Sequence, residues 1–266
     1  MEAIAEARTA RDRIAVGGTA IDLLDPESLL QVIQESLVSN TKTRVIFCNV
    51  STVVACQDNP ELESAVGRAE VISPDGMPLV WVARLQGEKA MQRVAGPTFM
   101  PAAMAHGTAL GWRHYLYGGS PDTLSQLVSR FNDDFPGAEV VGAYAPSFRE
   151  LTAEEIDQDI ERINAARPDL VWVGLGMPKQ EIWMARYQER LEAPVLLGVG
   201  AAFDFNAGTI KRAPAWMQRY GLEWSHRLMQ EPRRLWRRYF LGNSRFVLLV
   251  ARDIMREPRR YLRRST

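Results

Sequence analysis

The chain has 266 residues, 46% hydrophobic and 24% charged, with 32 Lys and Arg against 32 Asp and Glu. That length and composition belong to an ordinary globular protein with one large core or two small ones, and they exclude disorder over most of the chain. No apolar run reaches the roughly 18 residues of a membrane span, the charged N-terminus carries no apolar signal region, and Cys48 and Cys56 have neither metal-ligand spacing nor enough partners for a disulfide framework, so a reducing cytoplasm is the expected setting.

In chain order, "RVIFCN" (Arg44 to Asn49) reads as a strand, followed by a helix starting near Ser51 and another after Pro60. "AEVI" (Ala69 to Ile72) is the next strand, and "SPDGMP" follows it. Pro74, Asp75 and Gly76 suit successive positions of a β-turn, so the aspartate reads either as punctuation or as a chemical group. A helix begins near Met77. "HYLYGG" (His114 to Gly119) and "DTLSQLVSRFNDD" form a strand and a helix, as do "AEVVGAY" and the segment that Thr152 and Glu155 open with capping-box spacing. "DLVWVGLG" (Asp169 to Gly176) passes through Pro178 into a helix ending near Arg190, and "PVLLGVG" (Pro194 to Gly200) closes the series. This alternation predicts one α/β domain over residues 1–210, its mostly parallel sheet covered by helices on both faces.

Ligands of open parallel sheets bind beyond the carboxyl ends of the strands, which draws attention to Asn49, Asp75, Gly118-Gly119-Ser120, Gly174 to Glu181, and Gly198 to Asp204. Membership of this set favours a functional Asp75 over a mere turn. Gly118, Gly119 and Ser120 precede a helix N-terminus, where backbone N–H groups suit a diphosphate, although the glycines also fit a purely conformational role. Gln180 and Glu181 stand at a strand-to-helix corner where an amide can read a base or a sugar hydroxyl, or simply face solvent. Neither GxGxxG, GxxxxGK[ST] nor GxSxG occurs, and His106, His114 and His226 are not spaced as a ligand pair. Asp157-Gln158-Asp159 falls inside a helical pattern. No cofactor and no required metal are expected.

The zero net charge hides a division. From Lys211 to Thr266 there are fifteen Arg or Lys against four Asp or Glu, a net of +11, which leaves −11 on residues 1–210. Residues 211–266 read as a basic, amphipathic helical appendage in which arginines alternate with Trp236, Tyr239, Phe240, Phe246 and Leu248. Such a segment suits an anionic membrane surface; packing on its own domain or in a homo-oligomer, and nucleic-acid binding, are the rival readings.

The pieces "CNVSTVVACQDNPEL", "AEVISPDGMPLVW", "RVAGPTF", "VGLGMPKQE", "GVGAAFDFNAGTIKRAPAWMQRYGLEWSHRL" and "EPRRLWRRY", in that order, resemble the WecG/TagA/CpsF glycosyltransferases, glycosyltransferase family 26, over about Ile21 to Arg238. The resemblance implies a Rossmann-like fold and a peripheral enzyme of the cytoplasmic membrane face. It also implies inverting, metal-independent transfer from a UDP-sugar to a polyprenyl-diphosphate-linked saccharide in cell-surface polysaccharide assembly. Residue by residue, it makes Asp75 the general base, with Asn49 and Arg93 beside it. Gln180 and Asp204 fall on the glutamine of "PKQE" and the aspartate of "GAAFD", while Arg212, Arg227, Arg233 and Arg234 match basic residues that the appendage brings to the site. One position departs: many members carry threonine where this chain has Phe47. The transferred sugar, of N-acetylmannosamine, uronic acid or glucose type, stays open. A nucleotide- or nucleic-acid-binding module, with Asp75 a turn residue, is the alternative, as is a scaffold without catalysis, which Phe47 alone favours; the transferase reading expects no nucleic-acid partner.

Overall fold

A computed structural model describes residues 11–261, apart from the side chains at 234, 235, 237 and 238. The chain opens on a hairpin, β1 (Arg13–Val16) against β2 (Thr19–Asp22). Its turn is Gly17-Gly18, with φ of 56° and 81°, the two left-handed residues that a type I′ turn requires and that glycine adopts without steric cost. Asp22 is fully buried, and its carboxylate accepts from Arg13 Nε at 3.0 Å and from the Ile72 N–H at 2.6 Å. The hairpin is thereby tied to the main sheet.

After α1 (Pro26–Val38) come β3 (Thr43–Cys48), α2 (Val50–Cys56), α3 (Pro60–Gly67), β4 (Val71–Pro74), α4 (Met77–Leu85) and α5 (Gly96–Thr108). The alternation then continues through β5 (Arg113–Gly118), α6 (Pro121–Asp134), β6 (Glu139–Tyr144), α7 (Ala153–Ala165), β7 (Leu170–Gly174), α8 (Lys179–Tyr187), β8 (Val195–Gly198) and α9 (Ala202–Ala207). Side chains cap these helices as the sequence suggests: Asp25 accepts from the Ser28 N–H, and Thr152 and Glu155 form both halves of the capping box on α7.

Strands β3 to β8 make one wholly parallel sheet in the order β4-β3-β8-β7-β5-β6. Because side chains alternate along a strand, each strand feeds two cores. Ile46, Ile72, Tyr117, Val173 and Leu196 pack on the face covered by α2, α3, α7 and α8. Val45, Phe47, Leu116, Trp172 and Leu197 pack on the face covered by α1, α5, α6 and α9. Full burial of a Leu or Ile contributes about 1.5–3 kcal/mol, and the strands are therefore nearly continuous apolar runs.

The basic end of the chain forms α10 (Ala215–Arg219), α11 (Glu223–Gln230), α12 (Pro232–Arg256) and α13 (Pro258–Tyr261). One stripe of α12 lies on the body: Phe246 is buried, and Leu249 and Val250 pack against the first core. Polar ties hold it there. Asp253 accepts from the Gly17 N–H at 2.8 Å, Arg245 Nη2 pairs with Asp58 at 2.8 Å, and Gln86 donates to the Tyr261 hydroxyl at 3.1 Å. The other stripe exposes Phe240, Leu241, Leu248 and Met255 beside Arg252 and Arg256. Among the described residues, no helix is long and apolar enough to cross a membrane.

Candidate active site

At the carboxyl edge of the sheet the chain leaves β3 for α2 on one face and leaves the neighbouring β8 for α9 on the other. Connections that part in this way open a crevice. Asp75 sits beside it, directly after β4. Its N–H donates to the Cys48 carbonyl at 2.8 Å, so the backbone of "SPDG" prolongs the β4–β3 pairing and holds the aspartate in place. With Asn49, Arg93, Glu223 and Arg227 it lines a cavity of about 600 Å³. The remaining wall is largely apolar, with Trp81, Val82 and Leu85 from α4 facing Phe246, Val247 and Val250 from α12.

Asn49 caps α2, its Oδ1 accepting from the N–H groups of Ser51 at 2.9 Å and Thr52 at 3.3 Å. That fixes the amide of a residue on the cavity wall, and its NH2 has no hydrogen-bond partner among the described residues. Arg93 reaches three ways: its Nη2 lies 3.6 Å from Asp75 Oδ1 and 2.6 Å from Glu223 Oε2, its Nε donates to the Asp75 carbonyl at 3.3 Å, and its Nη1 donates to the Gln218 carbonyl at 3.4 Å. Arg212 Nε closes the group on the other oxygen of Glu223 at 3.0 Å.

These contacts drive two carboxylates apart. Asp75 keeps 19% of its side-chain surface, and burial pushes its pKa from 3.8 up to about 7, with Arg93 and Arg212 pulling down and Glu223 pushing up. Glu223 feels burial too, but the guanidinium groups of Arg93 and Arg212 outweigh it and hold this carboxyl below its ordinary 4.5. One acid stays ionised while its neighbour exchanges protons near neutrality, the division of labour that acid–base catalysis needs.

The other candidates of the sequence divide between the cavity and positions away from it. Arg227 borders the cavity, its guanidinium 5.4 Å from the Phe205 ring centroid. Arg233 is exposed on α12 and does not line the cavity, and the Arg234 side chain lies outside the described residues. Gly118, Gly119, Ser120 and Asp204 form a separate group. A Cβ on Gly118 would stand 2.5 Å from the Gly174 carbonyl carbon, and the Gly119 N–H donates to Gly174 O at 3.1 Å. These glycines serve the close approach of β5 to β7, and the Gly119 N–H expected to face a diphosphate is already bonded. Ser120 caps α6, accepting from the Thr123 N–H at 3.1 Å, and Thr123 Oγ1 donates to Asp204 at 3.3 Å.

Gln180 and Glu181 are buried, against the expectation that they face a ligand at a corner. The Gln180 amide donates to Glu181 Oε1 at 2.9 Å and to Gly198 O at 3.0 Å, and it accepts from the Gly176 N–H at 3.1 Å. It clamps the loop after β7 to the end of β8, so its hydrogen bonds are directed into the protein. Phe47 likewise points inward, into the second core, 5% exposed with its ring centroid 5.7 Å from that of Phe99. Glu223 is the site residue that sequence reading missed; it lies 130 positions from Arg93, and nothing in "GLEWSHRL" marks it. Among the described residues no three His, Cys, Asp or Glu side chains converge as a metal site. Burial pushes His114 down to about 4, and its Nδ1 accepts from Trp172 Nε1 at 3.1 Å.

The glycosyl transferase WecG/TagA/CpsF family pattern matches residues 14–264. Two curated relatives carry the name N-acetylglucosaminyldiphosphoundecaprenol N-acetyl-beta-D-mannosaminyltransferase. The one from Bacillus spizizenii (strain ATCC 23059 / NRRL B-14472 / W23) is 30% identical over 233 residues, 86% of this chain and 88% of the relative. The one from Bacillus subtilis (strain 168) is 32% identical over 185 residues, 68% of each. With a match that runs from β1 past the last described helix, the chain belongs to the WecG/TagA/CpsF family of glycosyl transferases.

Proposed function

We propose that the protein is an inverting hexosyltransferase that moves a sugar from a UDP-sugar to a polyprenyl-diphosphate-linked saccharide, with Asp75 as general base. The observation that carries this reading is a half-buried carboxyl, pushed up to about 7, on the wall of a cavity of about 600 Å³. In a single displacement the acceptor hydroxyl oxygen attacks the anomeric carbon as its proton passes to Asp75. The bond to UDP breaks with its electron pair on the departing phosphate oxygen, so the configuration inverts. Charge growing on that phosphate needs cations; Arg93, Arg212 and Arg227 can supply them, and on this ground we assign a metal-independent reaction. The relatives' names point to N-acetylmannosamine as the sugar and to N-acetylglucosaminyldiphosphoundecaprenol as the acceptor.

Residues 211–266 serve in this reading as one unit with two tasks. Glu223 and Arg212 brace Arg93 at the site, and the exposed stripe of Phe240, Leu241, Leu248 and Met255 rests on the inner membrane surface, where a lipid-linked acceptor resides. The test is UDP release from a panel of UDP-sugars, with a short-chain polyprenyl-diphosphate sugar acceptor and EDTA, for the natural chain and Asp75→Asn. Acceptor-dependent release is expected from the natural chain alone. Equal release by the variant would remove Asp75 as the base, and no release from any donor would remove the transferase reading.

A further inference from the structure

We propose that a second compartment, lined by Arg84, Arg93, Arg212 and Arg219, binds the diphosphate group of a substrate. This rests on the transferase reading and adds to it a site beside the Asp75 cavity. The compartment measures about 600 Å³ and shares Met77, Trp81 and Arg93 with that cavity. Among the described residues its lining holds four arginines and no carboxylate.

Two of the four, Arg93 and Arg212, are held from behind by Glu223. Arg84, on the last turn of α4, and Arg219, at the end of α10, are exposed and make no ion pair among the described residues. Glu223 and an ionised Asp75 together neutralise at most two of the four positive charges. The excess converges on one hollow, and guanidinium forks match phosphate oxygens in geometry as well as charge. Trp81 and Tyr220, 45% and 63% exposed, present ring surface at the rim for whatever group the diphosphate carries. Arg93 forms the common wall. Its Nη2 stands 3.6 Å from Asp75 Oδ1, so an anion in the compartment and a group reacting at that carboxylate border the same guanidinium.

Both substrate classes of the proposed reaction carry a diphosphate, one on a nucleoside and one on a lipid, and the experiment separates them. Calorimetric titration of inorganic pyrophosphate into the full chain is compared for the natural protein, Arg84→Gln/Arg219→Gln, and Arg149→Gln/Arg167→Gln, which removes two charges elsewhere. The first variant is expected to bind about tenfold more weakly and the second to bind like the natural chain. In the transfer assay the first variant should raise one KM about tenfold while kcat falls less. A raised donor KM assigns the compartment to the nucleoside diphosphate, and a raised acceptor KM assigns it to the lipid diphosphate. Unchanged pyrophosphate affinity in Arg84→Gln/Arg219→Gln, or equal weakening in both variants, overturns the proposal. Pyrophosphate binding needs no turnover, so a natural chain that binds through these arginines and transfers no sugar keeps the site and loses only the transferase reading.

Discussion

Replacing Asp75 by Asn should make the protein more stable while it destroys activity, and the gain should depend on pH in a defined way. In the folded chain the Asp75 pKa stands at about 7 against an ordinary 3.8, because burial penalises the carboxylate more than Arg93 and Arg212 favour it. The folded state therefore prefers the protonated acid. Stability attached to that proton is complete below about pH 3.8 and drains away as pH rises to about 7. At about 1.4 kcal/mol per pH unit, the ionised carboxylate costs the folded protein about 4 kcal/mol above neutrality. Asn occupies the same volume and never ionises. At 2–4 °C of melting temperature for each kcal/mol in a chain of this size, the variant should melt roughly 8–16 °C higher at pH 8.5, an upper figure because Arg93 loses one anionic neighbour. Scanning calorimetry at pH 4, 5.5, 7 and 8.5 reads the effect: the difference should be near zero at pH 4, grow through the interval and level off above about pH 7. A difference that is the same at every pH, or a variant less stable at pH 8.5, would refute the assignment of burial as the cause.

Two further outcomes follow from the same geometry. Glu223→Gln removes the negative neighbour that helps push Asp75 up and releases Arg93 towards it, so the acid limb of the kcat/KM profile should move below its position near pH 7, by on the order of one unit; an unmoved limb would show that Glu223 has no hold on the base. Leu248→Glu/Met255→Glu places two acids on the exposed stripe of α12 and should abolish sedimentation with anionic phosphatidylglycerol vesicles while the melting temperature stays within about 2 °C; retained sedimentation would place the membrane contact elsewhere.

The local periods of the chain determined the architecture. Apolar runs at Arg44 to Asn49, His114 to Gly119, Asp169 to Gly176 and Pro194 to Gly200 became β3, β5, β7 and β8 to within two residues at either end, and Thr152 with Glu155 capped α7 as their spacing implies. Turn glycines, caps and strand patterns act over a few residues, so one sequence suffices to read them. The hairpin at Gly17-Gly18, the helix α1 and the Pro101-containing α5 did not stand out in that way, since short or irregular apolar patterns are ambiguous until they pack.

The site belongs to the other kind of information. Strand ends named Asn49 and Asp75 together, but they also named Gly118, Gly119, Ser120 and Asp204, which are not among the residues that line the cavity, and Gln180, whose amide is turned into the protein. Only the tertiary structure brings Glu223 to Arg93 across 130 residues of chain, and only the folded arrangement, burial first and Glu223 after it, lifts Asp75 to about 7. Charge pairing and desolvation depend on which groups exclude water from which others, a property of the folded arrangement that local sequence does not encode.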